Sequence, residues 1–380
     1  MCTATGNYAV QRDPALVVVR AHRGGAEVID NLADEWRRLC AKAADDQPFY
    51  RPEWIRAHIR AFSPDATIVL ITARSNDRLH LVLPLLEEKN TFCKVPVRRL
   101  RAPVDMHCGR FDATRIAGSD GDAAILATWN FLRNLDNWDM LQLNYAQKES
   151  AVSRLASLAR DDGFRTVLLP ERPSPYIQVP FDSEPSPRMP PNSKLRSQLR
   201  QVYAKLEHKG TLRLECVRAA DPQALDRFYR LEAGGWKGIQ GTAIICDPSK
   251  KQFFDEIAHY ATIYGYFSLY MLEWNDQLLA AHFALVLQGR CYSPKVAYDE
   301  RFRQFAPGHL IVDEILKDCA ARRIRVFDIT GEDEEWKMKW TNKTSPVSHH
   351  LVFRGSRGDL AHTLGLKLKP AICRLLPSTR

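Results

Sequence analysis

Residues 291–323, CYSPKVAYDERFRQFAPGHLIVDEILKDCAARR, gather the side chains best placed for chemistry. The pattern predicts a short buried strand over 291–297, a polar loop, and a helix opened by Pro307-Gly308. Beyond it Ile311, Ile315, Leu316 and Cys319 recur at helical spacing. A strand that enters a helix through a glycine leaves backbone N–H groups free at the helix start. Together with the helix dipole they suit a phosphate. Gly308 adds no side chain to block that anion. Two groups nearby are suited to taking a proton. His282, in a strand predicted over 280–287, comes first, because an ordinary imidazole titrates near neutrality. Asp299 comes second, in the loop that follows the strand, where sites gather.

The elements that must hold these residues follow from the flanking sequence. Residues 269–273 and 278–287 read as strands joined by a tight turn at Asn275-Asp276. The strand at 291, the glycine loop, the helix and a further strand at 325–329 come next. That order resembles the GNAT (acyl-coenzyme A N-acyltransferase) fold. The words WKG (236–238), VAYDE (296–300), APGHL (306–310), DITGEDEEWK (328–337) and Lys339-Trp340 are similar, in order and spacing, to one branch of it. That branch is associated with cellulose and exopolysaccharide biosynthesis and is related to the Fem-type peptidyltransferases. The likeness spans about residues 190–355 and, less distinctly, the first half of the chain.

The resemblance implies an α/β fold of tandem GNAT-like domains with mixed central sheets flanked by helices. It implies an acyltransferase working by direct attack, with no acyl-enzyme, on the thioester of acyl-coenzyme A or an acyl carrier protein. The implied acceptor is an amine or hydroxyl of a sugar, glycolipid, sphingoid or polysaccharide precursor. Pro307, Gly308, His309 and Leu310 would receive the pyrophosphate, with Lys295 and Arg301 on coenzyme A phosphates. Tyr298 would protonate the departing thiolate beside His282 or Asp299 as base. Trp236 and Lys237 would border the cleft as a flat apolar wall and a charge. Glu332, opening the acidic cluster 332–335, and Lys337 would meet the acceptor. No permanently bound cofactor and no metal are implied. A Fem-like transferase using aminoacyl-tRNA, and a non-catalytic accessory of polysaccharide biosynthesis, are the alternatives.

Composition bounds these readings. A chain of 380 residues with 45% hydrophobic and 26% charged residues is long enough for two cored domains. No run approaches the length of a membrane span, and the start lacks a basic-then-apolar secretory pattern. Nine scattered cysteines without a CxxC pair suit a reduced, cytoplasmic protein rather than a zinc site. Residues 1–185 hold 24 basic and 24 acidic side chains, so the net +9 lies wholly in the remainder. An anionic partner for that part is expected: coenzyme A, an anionic inner-membrane surface, or RNA, but not DNA.

The first half, 1–180, reads as a degenerate GNAT-like domain that shapes the cleft. Its predicted strands lie at 17–19, 66–73, 79–87, 140–143, 166–169 and 176–179, with helices at 33–44, 53–62, 122–134 and 149–161. No glycine loop like that at Gly308 precedes a helix there. The loop 105–112, with His107, Cys108 and Asp112, has too few ligands at defined spacing for a metal. A proline-rich linker is expected over 181–192 and the acyltransferase domain over 193–380, with Ser193 capping a basic helix. The tail after Gly358 reads as a final helix, or as a basic amphipathic one touching an anionic membrane.

Overall fold

The computed structural model describes residues 17–105, 109–170, 173–180 and 192–367. The first part of the chain forms β1 (Val18–Gly24), α1 (Glu27–Asp30), α2 (Ala33–Cys40), α3 (Pro52–Phe62), β2 (Thr67–Ser75), β3 (Arg78–Phe92), β4 (Val95–Arg101), β5 (Thr114–Arg115), α4 (Ser119–Asn134), β6 (Met140–Gln147), α5 (Ala151–Asp161), β7 (Arg165–Pro170) and β8 (Ser174–Gln178). The second forms α6 (Ser193–Glu207), β9 (Leu212–Val217), α7 (Pro222–Ala233), α8 (Trp236–Ile239), α9 (Pro248–Ile263), β10 (Phe267–Trp274), β11 (Gln277–Leu287), β12 (Arg290–Tyr298), α10 (Pro307–Ala321), β13 (Val326–Asp328), α11 (Glu335–Met338), β14 (Thr344–Ser345), β15 (Val347–Phe353) and α12 (Gly355–Lys367).

Tight turns set the strand register. Asn76-Asp77, Cys93-Lys94, Asn275-Asp276 and Gln288-Gly289 all hold both residues at positive φ. Such turns match the natural twist of the hairpins they close. An eight-stranded sheet has the order β1-β2-β3-β4-β6-β15-β7, with β5 on β3; a seven-stranded sheet has β14-β8-β13-β12-β11-β10-β9. Each sheet contains one parallel pair, β4–β6 and β12–β13, joined by a helical crossover through α4 and α10 respectively.

The expected division into 1–180 and 193–380 does not follow these sheets. β8, ahead of the proline-rich stretch, pairs with β13 and β14 of the second sheet. β15 runs between β6 and β7 of the first, and α12 lies against β4 and β15. Each exchanged strand satisfies backbone groups that would otherwise form an open edge. Asn192, rather than Ser193, caps α6: its Oδ1 accepts the Leu195 N–H at 3.0 Å. The linker over 181–191, the residues His107 and Cys108, and the tail beyond 367 lie outside the described residues.

One continuous apolar core joins the two parts. Trp54 meets Phe253 edge-on at 5.0 Å between ring centroids, and Phe49 meets Tyr292 at 5.4 Å. A second cluster lies under α6 and α10, built from Leu195, Leu199, Leu310, Ile311 and Trp340 among others. Between the parts sits a buried ion pair. Arg110 Nη2 lies 2.7 Å from Asp328 Oδ2 and 2.8 Å from Oδ1. Gln47 Oε1 accepts from Arg110 Nη1 at 3.2 Å, and Ser174 Oγ accepts from Nη2 at 3.1 Å. Burial opposes the charge on Arg110, but the facing carboxylate keeps its proton more firmly bound than usual.

A buried charge left without its partner is costly. Asp328→Ala should therefore lower unfolding stability by about 3–5 kcal/mol in urea titrations, and the double variant Arg110→Met, Asp328→Leu should recover most of it. A loss under about 1 kcal/mol for the single variant would show that the pair is not what joins the parts.

Candidate active site

β12 and β13 run parallel for only three registers, Arg290 with Val326, Cys291 with Phe327 and Tyr292 with Asp328. Then they part. On β12 the pairing with β11 slips between Phe283 and Leu285, opposite Ser293 and Pro294. Proline brings no N–H to a ladder, and a bulge is where a strand interior accommodates it. On the other side the chain leaves β13 through Thr330 at φ 54° and Gly331 at φ 63°. A β-branched residue in the left-handed region is strained, so it must be held. Thr330 donates its N–H to Asp328 Oδ1 at 3.0 Å and its hydroxyl to Ser293 O at 2.9 Å. The cleft between the parted strands has a volume of about 740 Å³.

The first turn of α10 forms one wall. Ala306 precedes it at φ 48°, and no side chain caps the helix. A Cβ placed on Gly308 would meet only Tyr298 Cδ1, at an ordinary 3.7 Å. The fold itself therefore does not require glycine here; the space in front of it belongs to the cleft. His309 stands on the same turn and lines the cleft. Its Nδ1 lies 3.0 Å from the indole Nε1 of Trp340. Arg303, exposed in the preceding loop, lines the cleft beside Pro307.

The opposite wall comes from α7 and α8. Gly238 is required there, because a Cβ would lie 1.8 Å from Ala233 O. Lys237 Nζ donates to Glu232 Oε1 at 2.8 Å and to Val296 O at 3.2 Å. Glu232 Oε2 accepts the Ile244 N–H at 2.8 Å. Glu300 accepts the Trp236 N–H at 3.1 Å and so ties α8 to the loop after β12. Trp236, 53% exposed, forms the rim.

Two titratable groups project from β11 and β12. His282 is buried, its Nδ1 2.8 Å from Ser293 Oγ. Burial, and after it the Lys237 ammonium, push the imidazole down to about 3. It is uncharged at neutral pH, and the expectation of a base titrating near neutrality is corrected. Lys295 projects into the cleft with Nζ 5.4 Å from the Phe254 ring centroid. Burial pulls its ammonium down to about 8, against a smaller opposing pull from Glu232.

The cleft thus brings together His282, Lys295, Tyr298, Pro307, Gly308, His309, Trp236, Lys237 and Lys337. Four expected residues stand elsewhere. Asp299 accepts the Arg301 N–H at 3.0 Å and pairs with the Arg301 guanidinium at 2.6 Å. Those bonds hold its carboxyl below the usual carboxylate range and turn both side chains away from the cleft. Leu310 is fully buried in the core under α10. Glu332 does not line the cleft; its carbonyl serves Lys337. Lys337 itself holds the loop rather than offering a donor. Its Nζ reaches Thr330 O at 2.9 Å, Glu332 O at 3.1 Å and Glu334 Oε1 at 2.9 Å, which uses all three ammonium protons. Arg303, Glu232, Glu300 and Ser293 were not expected. Arg303 alone carried a sequence signal, as a cation one turn ahead of Gly308.

The first part of the chain has a cavity of its own, about 1000 Å³ between α4, α5, β7 and β15, but among the described residues β4 and β6 are not opened by a glycine turn like that at Gly308. Phe111 is fully buried and bridges Ala146 beside β6. A Cβ on Gly121, in the first turn of α4, would lie 2.0 Å from Ile116 O, so that glycine serves packing. Among the described residues no three metal-ligating side chains come together, and no helix is long and apolar enough to cross a membrane.

Comparison with known proteins bears on the fold that holds this cleft. No curated protein matches the sequence. Among solved structures, FemX aligns over 89% of this chain and 98% of its own at 12% identity and TM-score 0.53. The C-terminal domain (DUF2156) of a presumed lysylphosphatidylglycerol synthetase from Agrobacterium fabrum aligns over 90% and 97%, at 12% and 0.51. L-PGS from Bacillus licheniformis aligns over 88% and 96%, at 11% and 0.50. At such identities the likeness is one of fold. Residues 193–338 match the acetyltransferase (GNAT) domain family, and the chain is built as an α/β protein of two GNAT-like sheets with that domain in its second part.

Proposed function

We propose that this protein transfers an acyl group from a coenzyme A or carrier-protein thioester to an amine or hydroxyl, with the chemistry in the cleft between β12 and β13. One observation carries the reading: the uncapped first turn of α10 faces that cleft, and nothing in the fold requires the bare Gly308 that opens it. The Gly308 N–H and the positive helix end suit a phosphate, and Arg303 adds a charge beside them. The splayed strands leave room for the thioester arm to run between them.

Transfer by direct attack has three needs. The acceptor loses a proton, the carbonyl oxygen becomes negative, and the thiolate leaves. Lys295 is the proposed proton acceptor. A group with affinity near the working pH is both free to take a proton and strong enough to do so. His282, with its proton affinity so depressed, is a neutral wall of the site. Tyr298, whose ring lies over Gly308, is the proposed acid that returns a proton to the thiolate. Lys237 and Glu232 brace the α7–α8 wall of the cleft against the backbone of β12. The first part of the chain contributes Gly109 to the lining, which supports a role in shaping the acceptor end. A sugar-, lipid- or polysaccharide-linked acceptor remains the proposed class.

The +9 charge concentrated after residue 185, with the basic helix α6, favours a second reading in which the donor is an aminoacyl-tRNA, as for Fem-type enzymes. Co-purifying RNA that nuclease removes, together with loss of coenzyme A binding, would select it. Absence of any turnover with thioester or tRNA would select the accessory reading.

Calorimetry should show coenzyme A binding that Gly308→Glu abolishes and Gly308→Ala weakens only a few-fold, with unfolding midpoints unchanged. Full affinity in Gly308→Glu would sink the assignment of α10. Lys295→Met should lower turnover by about 10²–10⁴-fold. In the native enzyme the neutral amine grows with pH, so kcat/KM should climb through about pH 8 and level off, and the variant should lose that limb. A pH profile untouched by Lys295→Met would show that another group takes the proton.

A further inference from the structure

His309 is held in a way that an ordinary surface histidine is not. It stands on the first turn of α10, and its Nδ1 lies 3.0 Å from Trp340 Nε1. An indole nitrogen only donates. Nδ1 must therefore be the bare ring nitrogen, and the single proton sits on Nε2. Protonating Nδ1 would set N–H against N–H, so the charged form is disfavoured along with the other tautomer. Trp340 cannot easily turn away, being 2% exposed in the cluster beneath α10. Trp336 flanks the imidazole at 6.4 Å between ring centroids. Among the described residues no protein group accepts from Nε2, and the ring lines the cleft.

We propose that His309 is a permanently neutral hydrogen-bond donor whose Nε2–H meets a phosphate oxygen of the thioester donor, and that Trp340 is the positioning residue that selects this tautomer. The inference rests on the reading of the cleft as a thioester site. In that reading the anion meets two unlike contributions. Arg303 supplies charge from an exposed side chain. His309 supplies a fixed, uncharged donor from a rigid helix, beside the Gly308 N–H. A neutral donor set by a second side chain gives geometry without adding another cation to a cleft that already holds Lys237, Lys295 and Lys337.

The test is a long-range ¹H–¹⁵N spectrum of the histidine-labelled full chain, with His309 assigned through His309→Gln. The expected result is a bare Nδ1 and a protonated Nε2 in the free protein, with Nε2 shifting when coenzyme A is added. Trp340→Phe should return His309 to a mixture of tautomers and weaken coenzyme A several-fold. His309→Leu should weaken it about tenfold to a hundredfold, the value of a hydrogen bond to a charged group. His309→Gln should stay within about threefold of wild type, because its amide can accept from Trp340 and still donate. A proton found on Nδ1, a His309 signal indifferent to bound coenzyme A, or full affinity in His309→Leu each overturn the inference while leaving the thioester reading intact. Failure of the wild type to bind coenzyme A overturns that reading and this inference with it. The wild-type spectrum decides the tautomer even if Trp340→Phe does not fold.

Discussion

The buried pair between Arg110 and Asp328 is the contact on which the rest of the arrangement depends. Asp328 is the last residue of β13 that still pairs with β12, so it stands at the point where the two strands part. It faces Arg110 on one side and accepts the Thr330 N–H on the other. Arg110 comes from the first part of the chain and also binds Gln47 and Ser174. This ion pair therefore ties the two parts where the core is polar, lies at the base of the cleft and anchors the strained turn at Thr330. Ions withdrawn from water keep their charge only when paired in this way. The exchange of β8 and β15 between the sheets acts in the same direction: neither sheet is complete without a strand from beyond the proline-rich stretch.

The walls of the cleft are held by similar means. Lys337 spends its protons on the loop after β13, and Lys237 spends two of its own on Glu232 and the β12 backbone. Charged groups that look like ligand contacts are thus structural. The rest of the cleft lining is less obvious in kind: the Gly308 turn, a neutral imidazole, a lysine of weakened basicity and the exposed arginine at the mouth. Preorganised donors of this type act without having to move when charge develops. The first part of the chain keeps the sheet, but Phe111 fills the ground beside β6, and its own cavity lies on α5 and β7 instead.

Much of this was legible in the residue pattern, and the exceptions have physical causes. The strands around residue 291, the Asn275-Asp276 turn and the helix after Gly308 follow from local chemistry that the structure retains. β4 was not expected, because its turn is made by Cys93 and Lys94, neither of which signals positive φ. The strand exchange is long-range and leaves no local trace. Leu310 was grouped with His309 through the shared word APGHL, yet each helical residue turns about 100° from the last, and that puts one in the core and the other in the cleft. Asp299 and Arg301 carry the right charges for a site but satisfy each other within a single turn. The type of His282 gave its chemistry; only its burial in the sheet shows how far its proton affinity falls.

The central claim is that the cleft between β12 and β13, closed by the first turn of α10, receives a thioester. Hydrogen–deuterium exchange of the full chain with and without acetyl-coenzyme A tests it most directly. The account predicts slowed exchange confined to residues 293–298, 303–310 and the turn at 330–331. Protection centred instead on α5 and β7, or none anywhere at saturating ligand, would contradict it.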